Sequence, residues 1–359
     1  MPHSLAITLE DLGYEEFFGA HIPTSESDTV IARVIAEHKE SYTVKSVRGE
    51  YSAKVTGKHV FIASKRADFP AVGDFVIIEI LDSEKAMIRD ILPRKTILKK
   101  KHNDAKDTQI IGTNIDTAFI IESLDRDYNL NRFERYIVLA REGHITPVLI
   151  LNKSDLVEEN VVREKILEIQ HRFPNIEVLT TSTRTTSGLS LLREHIHTKK
   201  THCFLGSSGV GKSSLINTLL EDDTIKTGTI SDSTKRGKHT TTAREMYFLK
   251  NGGIVIDNPG TRGVGVVEVE TGITETFDDI VSLSTECKFA NCTHMREPGC
   301  AVQSAIQEGE LDEARYQNYL RLLNENKYNE MTDLEKRRKD KKFGKLIKKT
   351  LSELKEQSE

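Results

Sequence analysis

The chain has 359 residues, 37% of them apolar and 30% charged, and a formal net charge of −4. That length allows two or three domains with a substantial core, and the composition is ordinary for a soluble protein. No apolar run approaches the roughly 20 residues that a bilayer crossing needs, and the opening MPHSLAITLEDLGYEEFFGA lacks the basic-then-apolar pattern of an export signal. Three of the four cysteines fall between 287 and 300, which suits a metal site in a reducing compartment better than a disulfide framework. The sequence therefore predicts a cytoplasmic protein.

In chain order, residues 1–27 form a polar, acidic N-terminal extension whose role cannot be read. TVIARVIAEH, SYTVKSVRG, EYSAKVTGKHVFIA and DFVIIEIL then alternate apolar and polar residues between Gly, Asp and Lys breaks. Five short strands in that stretch predict an oligonucleotide-binding-type barrel over 28–100. From 101 to 268 strands alternate with helices. IDTAFIIES, TPVLILN, IEVLTTST, THCFLGSS and MYFLKNGGIVIDNPG read as strands with their exits; LNRFERYIVLAREG and VVREKILEIQHRF read as helices. Apolar strands ending in polar loops predict a mostly parallel sheet with helices on both faces. Residues 269–359 are helical and polar, interrupted by the cysteine cluster, and end in a basic tail.

CFLGSSGVGKSSLINTLL carries the pattern G-x-x-x-x-G-K-[ST] between an apolar strand and a helix, the context that gives it weight. The loop from Gly206 through Ser207, Ser208, Gly209, Val210 and Gly211 to Lys212 would aim backbone N–H groups at a phosphate, with positive potential from the helix N-terminus. Lys212 would reach the β- and γ-phosphates, the Ser213 hydroxyl would ligate Mg²⁺, and Ser214 completes the loop. NKSD supplies Asn152, Lys153, Ser154 and Asp155; Asp155 can accept two hydrogen bonds from guanine that adenine does not offer. Together the two loops predict GTP rather than ATP. DNPG places Asp257 for Mg²⁺ and Gly260 for the γ-phosphate. GKHTTT offers Thr240, Thr241 or Thr242 to the metal, with Thr241 assigned, and TTSTRTTSGL offers Ser182 to the base.

These pieces arrive with base reading before phosphate binding, the reverse of an ordinary guanine-nucleotide-binding protein. Ligand loops gather at the carboxyl ends of parallel strands, so a pocket depends on spatial order and survives circular permutation. Farther on, Cys287, Cys292, His294 and Cys300 form C-x₄-C-x-H-x₅-C, a complete tetrahedral shell for one structural Zn²⁺. Cys203 reads as a small buried hydrophobe. The basic stretches PRKTILKKKHNDAK (93–106) and KRRKDKKFGKLIKK (336–349), the latter with nine Lys/Arg against one Asp, point to a polyanionic partner whose binding falls steeply with salt.

With VGD near the barrel's end, NKSD before GSSGVGKSS, then GKHTTTARE, DNPG, the zinc spacing and RRKDKKFGK, the chain resembles the ribosome small-subunit-dependent GTPase family (RsgA, also called YjeQ or YloQ) over about residues 28–350. The resemblance implies a circularly permuted GTPase that binds the small ribosomal subunit and its rRNA late in maturation, with subunit-stimulated hydrolysis and release on hydrolysis. It departs from the usual pattern at Thr261, where many GTPases have a water-orienting Gln and family members an apolar residue, and residues 1–27 fall outside it. In its place His239 is assigned the orienting role beside Lys212. The chain is expected to be a monomer off the ribosome and to have no membrane partner. A competing reading is an RNA-binding assembly scaffold that holds GTP as a structural ligand.

Overall fold

The structure is a computed structural model describing residues 7–19, 29–39, 41–101, 108–125, 128–220, 244–257, 265–295, 297–332, 334–335, 338–339 and 341. His239, Thr240, Thr241, Thr242, Gly260, Thr261 and most of the basic tail lie outside the described residues. The chain divides into two compact units, Met1–Val264 and Gly265–Glu359.

In the first unit, helix α1 (Glu16–Gly19) precedes five strands: β1 (Thr29–Glu37), β2 (Tyr42–Ser46), β3 (Gly49–Val55), β4 (Phe75–Ile80) and β5 (Lys85–Ile91). They close on themselves through the pairings β1–β2–β3–β5–β4–β1, only β3–β5 being parallel. Closure removes the exposed edges an open sheet would present. The side-chain period of 2 drives it: Val30, Ala32 and Val34 of β1 point inward with Val44, Tyr51, Ala53, Val76, Ile78, Ala86 and Ile88. One expectation fails here. EYSAKVTGKHVFIA is not a single extended stretch, because the strand stops at Val55 and Thr56 caps helix α2 (Gly57–Ile62), its hydroxyl accepting from the His59 N–H at 3.2 Å. Val60, Phe61 and Ile62 are exposed rather than inward-facing.

The basic stretch after the barrel folds as well. Strands β6 (Ile97–Lys101) and β7 (Thr108–Thr113) pair antiparallel as a two-stranded ribbon. Then follow β8 (Thr117–Ser123), α3 (Leu130–Glu142), β9 (Thr146–Asn152), α4 (Glu159–Arg172), β10 (Val178–Thr181), α5 (Leu189–Glu194), β11 (Thr201–Gly206), α6 (Lys212–Leu220), β12 (Glu245–Phe248) and β13 (Ile254–Asp257). The spatial order β10-β9-β8-β11-β13 is parallel throughout, with β12 antiparallel beside β13. Alternate strand residues Phe119, Ile121, Val148, Ile150, Phe204 and Val255 pack against Leu189 and Leu192 of α5 and Leu215, Ile216 and Leu219 of α6. β12 also pairs with β1, Glu245 opposite Ala36, so barrel and parallel sheet share one continuous eleven-stranded sheet.

The N-terminal residues are built into this unit. Leu12 and Phe18 pack with Phe75, Ile77 and Leu92. Arg33, with no solvent exposure, donates to the carbonyls of Leu12 (2.6 Å), Gly73 (3.2 Å) and Asn114 (3.1 Å) and lies 4.9 Å from the Phe75 ring. Burial lowers its pKa to about 10, with Asp116, Asp74 and Glu15 opposing, so it stays charged at neutral pH. Glu15 accepts from both Lys95 and Lys200, joining the end of the barrel to the start of β11.

The second unit contains α7 (Glu270–Thr276), α8 (Asp278–Thr285), α9 (Ala301–Glu308) and α10 (Glu313–Glu330). Arg315 of α10 ties that helix to α7 and α8, donating to both Asp279 oxygens (2.8 and 2.9 Å) and to the Thr276 carbonyl (2.8 Å).

Arg33→Ala removes the buried donor of three carbonyls and leaves a cavity, so it should cost about 3 kcal/mol or more. Urea unfolding measures this; a change under about 1 kcal/mol would show that the N-terminal residues do not depend on Arg33.

Candidate nucleotide site and metal centre

Because five strands run parallel side by side, their carboxyl ends line one edge, and the chain turns from one side of β8 to the other between β10 and β11. Such a switch point opens a crevice for ligands. The strand ends bring together Asp125 after β8, Asn152–Asp155 after β9, Ser182 after β10, Gly206–Ser213 after β11 and Asp257 at the end of β13.

The phosphate loop depends on its glycines. Gly206, Gly209 and Gly211 have φ of +145°, +87° and +100°, and a Cβ on Gly206 would stand 2.3 Å from the Ile121 carbonyl oxygen. Val210, 1% exposed, anchors the loop in the core beneath α6, while Ser208 and Gly209 face outward and Ser207, Ser213 and Ser214 are half-buried. Lys212 is buried, and its ammonium donates to the carbonyls of Gly206 (2.8 Å) and Ser207 (2.7 Å). A cation folded onto a glycine-rich loop at a helix N-terminus is suited to a polyphosphate.

Asn152 ties this loop to its neighbour. Its amide donates to the Val210 carbonyl at 2.8 Å, and its own oxygen accepts from Thr181 at 3.0 Å. Beyond it, Lys153 takes a left-handed backbone, φ 59°, and its ammonium donates to Asp125 at 2.7 Å. Ser154 donates to the Thr181 carbonyl at 3.2 Å. Ser182 donates to Asp155 Oδ1 at 2.6 Å and is itself held by the N–H groups of Arg184 and Thr185, each at 3.2 Å. The segment after β10 thus orients the carboxylate of the segment after β9. Asp257 is 7% exposed and pairs across the sheet with Glu245. Cys203 is fully buried in β11, and burial pushes its thiol pKa up, which removes it from nucleophilic or metal chemistry.

Reading the sequence missed Asp125, Ser123, which donates to Asp125 at 2.8 Å, and Thr181. All three sit at carboxyl ends of strands whose motifs lie elsewhere; the rule that ligands collect at such ends would have flagged them.

In the second unit Cys287, Cys292, His294 and Cys300 bring one donor atom each to within 4.8 Å of one another. His294 Nδ1 lies 3.4 Å from Cys287 Sγ and 3.5 Å from Cys300 Sγ, and those two sulfurs are 3.8 Å apart. The neighbourhood fixes the histidine: its carbonyl accepts from Gln303 (2.6 Å) and Tyr316 (2.8 Å), and Cys300 caps α9. Three thiols and an imidazole converging this way can hold one metal ion with no position left for substrate.

Gly211→Ala should damage both loops at once, because its Cβ would stand 2.3 Å from Asn152 Nδ2 at a φ of +100°. The expected outcome is at least about a tenfold loss of guanine-nucleotide affinity, the loss of about one good hydrogen bond, with the circular dichroism unchanged. Unaltered affinity would mean that the two loops are not coupled.

The family model of the RsgA GTPase matches residues 91–267. The small ribosomal subunit biogenesis GTPase RsgA of Opitutus terrae is 39% identical over 334 residues, 90% of each chain. RsgA 2 of Vibrio vulnificus is 36% identical over 348 residues, 96% of each. The latter coverage leaves too few residues outside the match to exclude all of 1–27, so the likeness reaches into the N-terminal segment, contrary to the sequence expectation. Among solved structures, YjeQ of Thermotoga maritima superposes with a TM-score of 0.62 at 26% identity, covering 83% of this chain and 98% of its own. YloQ, described as a circularly permuted GTPase, superposes with a TM-score of 0.60 at 24% identity and supports the fold. With relatives this similar over nearly the whole chain, the protein belongs to the RsgA GTPase family.

Proposed function

We propose that this protein hydrolyses GTP while bound to the small ribosomal subunit and acts late in that subunit's maturation. The observation that carries the reading is the hydrogen bond from Asn152 to Val210, which holds a guanine-reading loop against a phosphate loop although fifty-odd residues and a reversed chain order separate them. The relatives' names, which state biogenesis of the small ribosomal subunit, supply the partner.

In the proposed reaction Asp155, held by Ser182, accepts from the guanine N1–H and 2-amino groups. Asn152 holds the phosphate loop against this edge, and the Lys153 stem lies over the ring. Lys212 leaves its loop carbonyls for the phosphates and, with the loop N–H groups, stabilises charge on the γ-phosphoryl oxygens as water attacks in line. The Ser213 hydroxyl and the buried Asp257 carboxylate, with Thr241, are the oxygen donors that Mg²⁺ prefers. When bound, that ion neutralises charge on the β- and γ-phosphates. Gly260 would sense the γ-phosphate, and His239 would orient the attacking water. Without a glutamine after Gly260, unassisted turnover should be slow, on the order of 10⁻⁴ to 10⁻² s⁻¹.

Zn²⁺ is the metal proposed for the Cys₃His centre. Tetrahedral Zn–S bonds of about 2.3 Å imply S–S separations of about 3.8 Å, which agrees with the Cys287–Cys300 distance of 3.8 Å. The domain division we favour is a barrel over 28–100, a permuted GTPase domain over 101–268 and a zinc-binding domain over 269–359, working as a cytoplasmic monomer off the ribosome and contacting rRNA. No helix among the described residues is long and apolar enough to cross a membrane.

Two measurements test this. GTP turnover should rise at least about tenfold, a barrier lowered by about 1.4 kcal/mol, when purified small subunits are added, and Lys212→Ala should abolish it and block release; a scaffold that merely holds GTP would still release. Asp155→Asn should exchange guanine for xanthine preference, since the amide reverses one hydrogen bond; retained GTP affinity in the variant would refute the assignment of Asp155.

A further inference from the structure

A second cavity lies outside the nucleotide crevice. Its volume is about 500 Å³, and it is walled by the end of β1, the start of β2, the 63–71 segment, Ile110 of β7 and Arg244. That size is within the range of small-molecule sites. Among the described residues that line it are four cationic side chains, Lys39, Lys65, Arg66 and Arg244, and one carboxylate, Glu37. Glu37 is already engaged, 3.2 Å from the Arg244 guanidinium and 3.6 Å from that of Arg66. Its charge is shared between the two arginines, so the described lining residues carry an excess of positive charge.

The aromatic walls matter as much as the charge. Tyr42 and Phe69 both line the space, and flat rings beside cations are how proteins hold an unstacked base with its phosphate. Arg244 is only 15% exposed, and its other contact is the Ile110 carbonyl at 2.9 Å. Burial lowers its pKa, with Glu37 opposing and Arg66 adding to the fall. A desolvated guanidinium bonds a phosphate more strongly than an exposed one, because water competes less.

We propose that this cavity binds one nucleotide unit, its phosphate held by Lys39, Lys65, Arg66 and Arg244 and its base against Tyr42 and Phe69, independently of the phosphate loop. The unit is either a free mononucleotide or one unstacked residue of single-stranded RNA. The site adjoins the nucleotide crevice through one strand pair: Arg244 is followed by Glu245, whose partner across the ladder is Asp257.

The test uses the full-length protein with its phosphate loop saturated by GDP and Mg²⁺. Uridine 5′-monophosphate and hexauridylate are titrated separately by calorimetry, and retained GDP is quantified in the same samples. Uracil offers no guanine edge to Asp155, so neither probe reports on the first site. Lys39 and Lys65 are both exposed, so Lys39→Glu/Lys65→Glu should leave the fold and GDP retention intact. It should weaken the bound probe by about tenfold or more, the effect of losing charge-assisted bonds to phosphate. Saturable binding of uridine 5′-monophosphate assigns a free nucleotide; binding of hexauridylate alone assigns RNA; either supports the site. If neither probe binds, or the double variant leaves binding unchanged, the proposal is overturned. A failure to retain GDP in the parent protein would count against the GTPase reading and not against this one.

Discussion

A single side-chain amide joins the two halves of the candidate nucleotide crevice. Asn152 spends its donor on the Val210 carbonyl and its acceptor on Thr181, so three strand ends are tied at one residue that is 1% exposed. The Val210 carbonyl fixes how this buried amide is turned, since turning it over would set the amide oxygen against the carbonyl oxygen, acceptor against acceptor. The Gly206–Ser213 loop cannot shift relative to the Asn152–Asp155 loop without breaking that bond in a low-dielectric setting, where a lost hydrogen bond costs most. Chain order is irrelevant to this constraint, which is why a permuted sequence can keep the pocket.

The same economy of connection links the barrel to the sheet. One strand pair, β1 with β12, makes the two continuous, and the N-terminal residues fasten the junction from the other side through Arg33, Leu12 and Glu15. The hydrogen bonds of this buried guanidinium go to three carbonyls, which fix its position, with the Phe75 ring beside it and the carboxylates of Asp116, Asp74 and Glu15 favouring its charge. In the proposed cycle, this rigid junction would pass a change near Asp257 to the barrel with little slack, because Glu245 opposes both Asp257 and Ala36.

Much of this was legible in the sequence. The parallel sheet, its helices and the strand-then-loop placement of both nucleotide motifs follow from apolar runs ending in Gly, Asn and Asp. The cysteine spacing likewise pointed to a cluster that the fold assembles. What escaped had local signals that tertiary context overrode or supplied. KHVFI carries the β-branched and aromatic residues of a strand, yet Thr56 offers an N-cap, so the residues wind into α2 with Phe61 in solvent. PRKTILKKK was read for its charge and not as a strand, because its strand signal is carried by only a few residues; pairing with β7 makes it a ribbon. The acidic first residues gave no hint that Leu12 and Phe18 are core, since burial there depends on Phe75, some sixty residues away. Asp125, Thr181 and the Glu37–Arg244 contact carry no motif at all and exist only once distant strands meet.

The most direct measurement is a crystal structure of the full-length protein with GDP and Mg²⁺. One nucleotide should span the crevice, with the Asp155 carboxylate within hydrogen-bond distance of the guanine N1 and 2-amino nitrogens and the Lys212 ammonium on the β-phosphate. A nucleotide whose phosphates sit in the Gly206–Ser213 loop while its base lies away from Asn152 and Asp155 would contradict the convergence of the two loops on one ligand.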